Sequence, residues 1–131
     1  MSLKTSLYSY LSTYAGLVAL VGTRIYPVGD VPQSPTVPYC VYSRPSSDRV
    51  YSHQGYSHLS EDDIQINYYD TTTAKVEAIE AQVIAAIEAW PAANSSVQMA
   101  LITNIAGDLY DPQTDLQFSE LEVSLFHSLD N

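Results

Sequence analysis

The chain reads as an α+β domain: an antiparallel sheet of about five strands with helices packed on one face, in the order α(α)-β-β-β-α-β-β. Three observations predict this. Val76, Ile79, Val83, Ile87 and Trp90 recur every three or four residues, which draws one apolar stripe along a helix over residues 75–90. Ile64, Ile66 and Tyr68 alternate with Gln65 and Asn67, the period of a strand with one buried face over residues 63–69. Alternation then returns twice after the helix, at Val97, Met99, Leu101, Thr103 and Ile105, and at Leu121, Val123 and Leu125.

The remaining elements follow in chain order. Leu3, Leu7, Leu11 and Tyr14 share one helical face, and Ser2 is placed to cap its first turn. Leu17, Leu20 and Val21 continue an apolar face on a short second helix, which Gly22 is suited to end. Arg24-Ile25-Tyr26-Pro27 is strand-like, and Pro27, Pro32, Pro35 and Pro38 then punctuate a segment that cannot join a ladder along its length. Residues 28–37 are therefore expected to lie extended on the surface.

Residues 39–44 are β-branched and aromatic enough for a strand, with Pro45 as its stop, and residues 50–54 form a weaker one before Gly55. With residues 63–69 they predict a three-stranded antiparallel meander. Asp70-Thr71-Thr72-Thr73 offers N-caps to the long helix, Glu77, Glu80 and Glu88 mark its wet side, and Pro91 is expected to stop it. A strand ending at Gly107, an acidic loop over residues 108–115 and a last strand complete the chain. On the far side of the sheet, Gln65, Asn67, Gln98, Ala100, Asn104 and Ser124 predict a polar but not strongly charged face, fit for water or a partner subunit.

The 131 residues suffice for a single domain with its own core, without metal or disulfides. Cys40, the one cysteine, falls in an apolar strand and reads as a buried small hydrophobe. No basic segment precedes an apolar run, and residues 15–21 are too short to cross a bilayer, so neither secretion nor a membrane is expected. Five basic residues stand against 15 acidic ones, a formal net charge of −10. Such a balance opposes a phosphate-gripping surface and excludes specific nucleic-acid binding through a basic patch.

Three segments carry a family resemblance. Gly16-Leu17-Val18-Ala19-Leu20-Val21-Gly22-Thr23-Arg24-Ile25-Tyr26-Pro27 is followed by Pro38-Tyr39-Cys40-Val41-Tyr42, and Ile64-Gln65-Ile66-Asn67-Tyr68-Tyr69-Asp70 then feeds straight into the long helix. This order resembles the tail-completion (tail-to-head joining, tail-terminator-like) proteins of long-tailed bacteriophages, over residues 5–127. The resemblance implies a structural virion protein that assembles as a hexameric ring at the tail end or head–tail junction. Implied partners are further copies of the chain, the tail tube protein and a head-completion or connector protein, with DNA passing through unbound. The implied site of assembly is the bacterial host cytoplasm. The Ser- and His-rich hairpin over residues 50–58 and the early end after His127 depart from the family pattern.

The search for chemistry returns little. His53, His58, Glu61, Asp62 and Asp63 lie close together but lack the second ligand pair of a zinc site, and read as a polar hairpin tip. Asp108, Asp111 and Asp115 miss the register of a calcium loop. No Gly-x-Ser-x-Gly elbow and no phosphate-cradling Gly-rich loop occurs. Glu120 and Glu122 alternate with Leu121 and Val123 as a solvated strand face does. No catalytic, cofactor or metal residues are assigned, and no enzyme is expected.

The 11 tyrosines exceed what one small core can bury with every hydroxyl paired, so some are expected at interfaces. Tyr51, His53, Tyr56 and His58 are the expected assembly contacts, and Asp108, Asp111 and Asp115 the expected channel-facing carboxylates. The alternative is a small α+β ligand-binding module or enzyme using a pocket between helix and sheet. Against it, the stripe from Val76 to Trp90 has no polar break and suits a filled core.

Overall fold

The computed structural model describes residues 2–52 and 55–128, with side chains described for 2–47 and 59–128. The described residues form three helices and five strands: α1 (Leu3–Leu11), α2 (Ala15–Val21), β1 (Ile25–Pro27), β2 (Tyr39–Ser52), β3 (Gly55–Asp70), α3 (Thr73–Ala93), β4 (Val97–Asp111) and β5 (Leu116–His127). The strands form one sheet in the order β1-β2-β3-β5-β4.

The helices follow most of their local signals, although Leu20, expected on the apolar face of α2, is exposed while Leu17 and Val21 are buried. Ser2 caps α1 by accepting the Thr5 N–H, and Leu3, Leu7 and Leu11 are buried on one face as spaced. Gly22 ends α2 at φ 61°, a backbone state that costs a residue with a Cβ more than it costs glycine. Thr72 caps α3 through the Lys75 N–H. Val76, Ile79, Val83, Ala86, Ile87 and Trp90 are its buried side, each apolar side chain larger than alanine contributing about 1.5–3 kcal/mol by leaving water. Pro91 does not stop this helix. It lies in the last turn, where it removes one i→i−4 hydrogen bond but only a few residues follow, and the Asn94 N–H closes the end on the Trp90 carbonyl.

The sheet differs from the predicted one in three ways. It is mixed, because β1 pairs in parallel with β2 (Ile25↔Cys40, Tyr26↔Val41, Pro27↔Tyr42). The expected meander is a single long hairpin: β2 runs past Pro45 to Ser52 and turns back into β3. Pro45 sits at a register shift between Ser43 and Ser46, where a bulge accommodates a residue with no N–H to donate. The count of five strands survives because β1 replaces the strand lost by this merger. The third difference is β4, which continues through Gly107 and Asp108 to Asp111, so the acidic loop shrinks to a tight turn before Leu116.

Ladder rows assign the faces. Ile64↔Val123, Ile66↔Leu121 and Asp62↔Leu125 point to the core, as does Tyr68, all but fully buried as alternation predicts. Val97, Ala100 and Ile102 on β4 join them. The predicted β4 face is wrong from Met99 to Ile102: a register shift between Val97 and Met99 makes Gln98 the extra residue and reverses the alternation, and a second shift between Ile102 and Asn104 restores it, with Asn104 beside Glu122 and Ile105 beside Leu121. Met99 and Leu101 consequently face outward at 48% and 47% exposure, and Ala100 moves to the core side.

Candidate assembly surface

The outward face of the sheet is built by alternation from residues that the helices leave uncovered. At one end runs an aromatic row. Tyr26 on β1 tilts against Tyr39 on β2 with ring centroids 6.2 Å apart, Tyr39 stacks on Tyr69 of β3 at 4.8 Å, and Tyr69 stacks on Phe118 of β5 at 5.0 Å. Tyr39 is nearly buried by these neighbours. Ring contacts of this geometry contribute about 0.5–1.5 kcal/mol beyond burial, so the row stiffens the sheet where its four strands converge. Sequence reading missed it because cross-strand partners depend on register, although Tyr39, Tyr69 and Phe118 each occupy outward positions.

Next to the aromatic row the face turns polar and acidic, through the pairs Asn67↔Glu120, Gln65↔Glu122 and Asp63↔Ser124. Ser46 donates to Asp63 at 2.6 Å and Ser124 to Glu61 at 3.2 Å. These carboxylates accept from neutral hydroxyls; Gln65, Asn67, Asn104 and Ser124 lie on this face as alternation predicts, but Glu61, Asp63, Glu120 and Glu122 make it more acidic than expected.

Of the expected contact residues, Tyr51, His53, Tyr56 and His58 have side chains outside the described residues, and His53 lies outside them altogether. The backbone shows that β2 and β3 stay paired beyond Ser60↔His127, the last β3–β5 pair, to Ser52↔Gly55. The expected channel residues lie at the opposite end of the sheet. Asp111 Oδ1 accepts the Gln113 N–H and Oδ2 the Thr114 hydroxyl, both at 3.0 Å, and Asp115 accepts from the Tyr110 hydroxyl at 2.7 Å. Asp108 and Asp115 hold φ values of 58° and 56°, which aspartate tolerates better than most side chains. Two of the three carboxylates thus build the turn, and hydrogen bonding to Asp115 raises the Tyr110 phenol above its ordinary value.

Glu61, Asp62 and Asp63 do not belong to a hairpin tip; they are central β3 residues paired to β5. Asp62 is fully buried, with Oδ2 at 3.2 Å from Nε2 of the equally buried His127 and 3.7 Å from the Arg44 guanidinium. The Ser47 hydroxyl donates to its other oxygen. The signal was present in the sequence: Asp62 extends the alternation of Ile64 and Ile66, and His127 extends that of Leu121, Val123 and Leu125, which puts both on the buried face. Glu80 also departs from its expected wet position, accepting the Tyr68 hydroxyl at 2.7 Å; burial first, then this bond, raises the Tyr68 phenol.

Among the described residues no group of three His, Cys, Asp or Glu is placed to hold a metal ion, and no helix is long and apolar enough to cross a membrane. What the fold presents is a surface with two strand edges, an acidic face and a long hairpin. Residues 5–128 match the family described as Tail completion protein gp17. The chain belongs to that family. As a tail completion family member it is a structural tail protein of a phage-type virion. No curated protein matches the chain. A chain from the solved structure titled "Virion of native gene transfer agent (GTA) particle" is similar in fold, with TM-score 0.75 over 96% of this chain and 94% of that one, at 19% identity.

Proposed function

We infer that the protein closes the end of a phage-type tail as a ring of identical subunits, completing the tail or joining it to the head. Membership of the tail completion family over residues 5–128 is the observation that carries this reading. The ring is a homo-hexamer that contacts the tail tube protein on one side and a head-completion or connector protein on the other. It assembles in the host cytoplasm and stays in the virion at the tail end. The protein performs no catalysis; its work is geometric.

A net charge of −10 supports passage of DNA without capture, since each phosphate contact would meet repulsion. In this reading Asp108, Asp111 and Asp115 face the channel. The hairpin carrying Tyr51, His53, Tyr56 and His58 reaches from the other end of the sheet to the neighbouring subunit, where tyrosines supply rigid contact area. Negative-stain imaging of the protein mixed with purified tail tubes tests the reading: caps are expected at one tube end, and tubes left bare at saturating protein count against it.

A further inference from the structure

Both sides of the sheet end on strands with an open backbone edge. Among the described residues β4 is bordered by β5 alone. β2 is bordered on its outer side by β1 only at residues 40–42, so from Ser43 onward its outer edge is open as well. Open edges invite pairing with another chain unless they are blunted by proline, charge or bulges. The β2 edge carries Pro45. The β4 edge has bulges but neither proline nor lysine along its 15 residues. It also holds four of the seven large apolar side chains exposed among the described residues: Met99, Leu101, Ile105 and Tyr110.

Direction, height and charge of the two edges agree. β2 and β5 run one way, β3 and β4 the other. A second copy placed alongside by rotation about an axis parallel to the strands therefore brings its β2 antiparallel to β4. The ladder rows give the height: Ser46, Asp63, Ser124 and Leu101 share one row, and Ser43, Gln65, Glu122 and Asn104 another. A copy at equal height sets its Ser46 opposite Leu101 and its Ser43 opposite Asn104. Lys75 is the last Lys or Arg, and nine of the 15 acidic residues follow it; β4 carries Asp108 and Asp111 and no base, whereas β2 carries Arg44, 3.7 Å from Asp62 of its own subunit, and Arg49 against one acid, Asp48. Opposite net charge on the two strands favours their encounter.

We propose that residues 99–104 on the β4 edge of one subunit pair with residues 43–48 on the β2 edge of the next, extending the sheet from subunit to subunit. The joint rests on the ring reading above and specifies which surfaces close the ring. It joins two different patches, and such head-to-tail contacts propagate until the rotation closes. Pairing β4 with β4 would stop at a two-fold dimer and leave every β2 edge open. Pro45 removes one donor from the ladder and leaves the flanking residues able to pair.

Disulfide trapping with Ser46→Cys and Leu101→Cys in one chain tests the joint. Both positions are exposed, and the native Cys40 is fully buried and does not compete. Within one subunit the two strands are three spacings apart, about 14 Å, beyond the roughly 7 Å that a disulfide spans between Cα atoms. Every bridge is therefore intermolecular. Oxidised, tube-capping protein is expected to run as a ladder of covalent multimers on a non-reducing gel, with neither single substitution doing so. A second pair, Ser43→Cys with Asn104→Cys, is expected to give the same ladder. Caps without a ladder from either pair overturn the joint and leave the ring standing. Covalent dimers from Leu101→Cys alone mean β4 pairs with itself, and overturn it too. Unsubstituted protein that never caps a tube overturns the ring reading, and the joint with it.

Discussion

Tyr10 lies flat on Trp90, with ring centroids 5.4 Å apart and planes within 8° of parallel, while its hydroxyl donates to the Ala86 carbonyl at 2.7 Å. One α1 side chain thereby both covers the end of the α3 stripe and ties down its backbone. Trp90→Ala is expected to cost about 3–5 kcal/mol, as large aromatic deletions in cores do. Tyr10→Phe keeps the stack and loses the hydrogen bond, for about 0.5–1.5 kcal/mol. Urea unfolding of both variants checks the pair; a Trp90→Ala loss under about 1 kcal/mol is what a surface residue would give.

Asp62 and His127 are each fully buried and 3.2 Å apart. Removing one member of a buried polar pair strands the other, so Asp62→Ala is expected to cost about 3–5 kcal/mol. Replacing both, as Asp62→Leu with His127→Leu, is expected to cost clearly less than the sum of the single leucine substitutions. A double-mutant cycle measures this directly. Additivity within about 0.5 kcal/mol would mean the two side chains act independently.

Cys40 gives a pH signature. Burial pushes its thiol from an ordinary 9.0 up to about 12. The unfolded chain therefore ionises first as pH rises, and the stability held by the neutral thiol is intact below pH 9 and lost progressively toward pH 12. The tyrosines with raised values act in the same direction, so the informative quantity is the difference between wild type and Cys40→Ala. That gap is expected to narrow across this window by at most about 1.4 kcal/mol per pH unit. A gap independent of pH would show a thiol open to solvent.

The acidic turn sets a condition on any test of the channel. Because Asp111 and Asp115 hold the turn and Asp108 and Asp115 take positive φ, changing all three to Lys is expected to destabilise the subunit as well as reverse its charge. Asparagine keeps the acceptor oxygen and tolerates positive φ. Asp108→Asn, Asp111→Asn and Asp115→Asn together are expected to cost under about 1 kcal/mol, on the scale of surface changes. Particles carrying them are expected to eject DNA more slowly at low salt, with the difference shrinking as salt rises and the Debye length falls to about 10 Å at 0.1 M. Unchanged ejection from particles with confirmed rings places the turn away from the channel.

Local rules account for much of this fold. The spacing from Val76 to Trp90, the alternation of Ile64, Ile66 and Tyr68, and the caps at Ser2 and Thr72 were legible because each depends on residues a few positions apart. Its place in an apolar strand likewise indicated that Cys40 is buried, and the motifs around residues 16–27, 38–42 and 64–70 pointed to the tail completion family. The rest was decided by partners distant in the chain. Pro45 and Pro91 break a ladder or a helix in isolation, yet one sits at a bulge on an open edge and the other so near a helix end that the one bond it removes has few turns beyond it to disturb. The parallel seat of β1 depends on β2. The outward turn of Met99 and Leu101 depends on one extra residue, Gln98, against β5. The meeting of Asp62 with His127 depends on the register of β3 and β5. A strand's period says which residues share a face, but only pairing with its neighbour says which face is buried, because a one-residue slip exchanges the two.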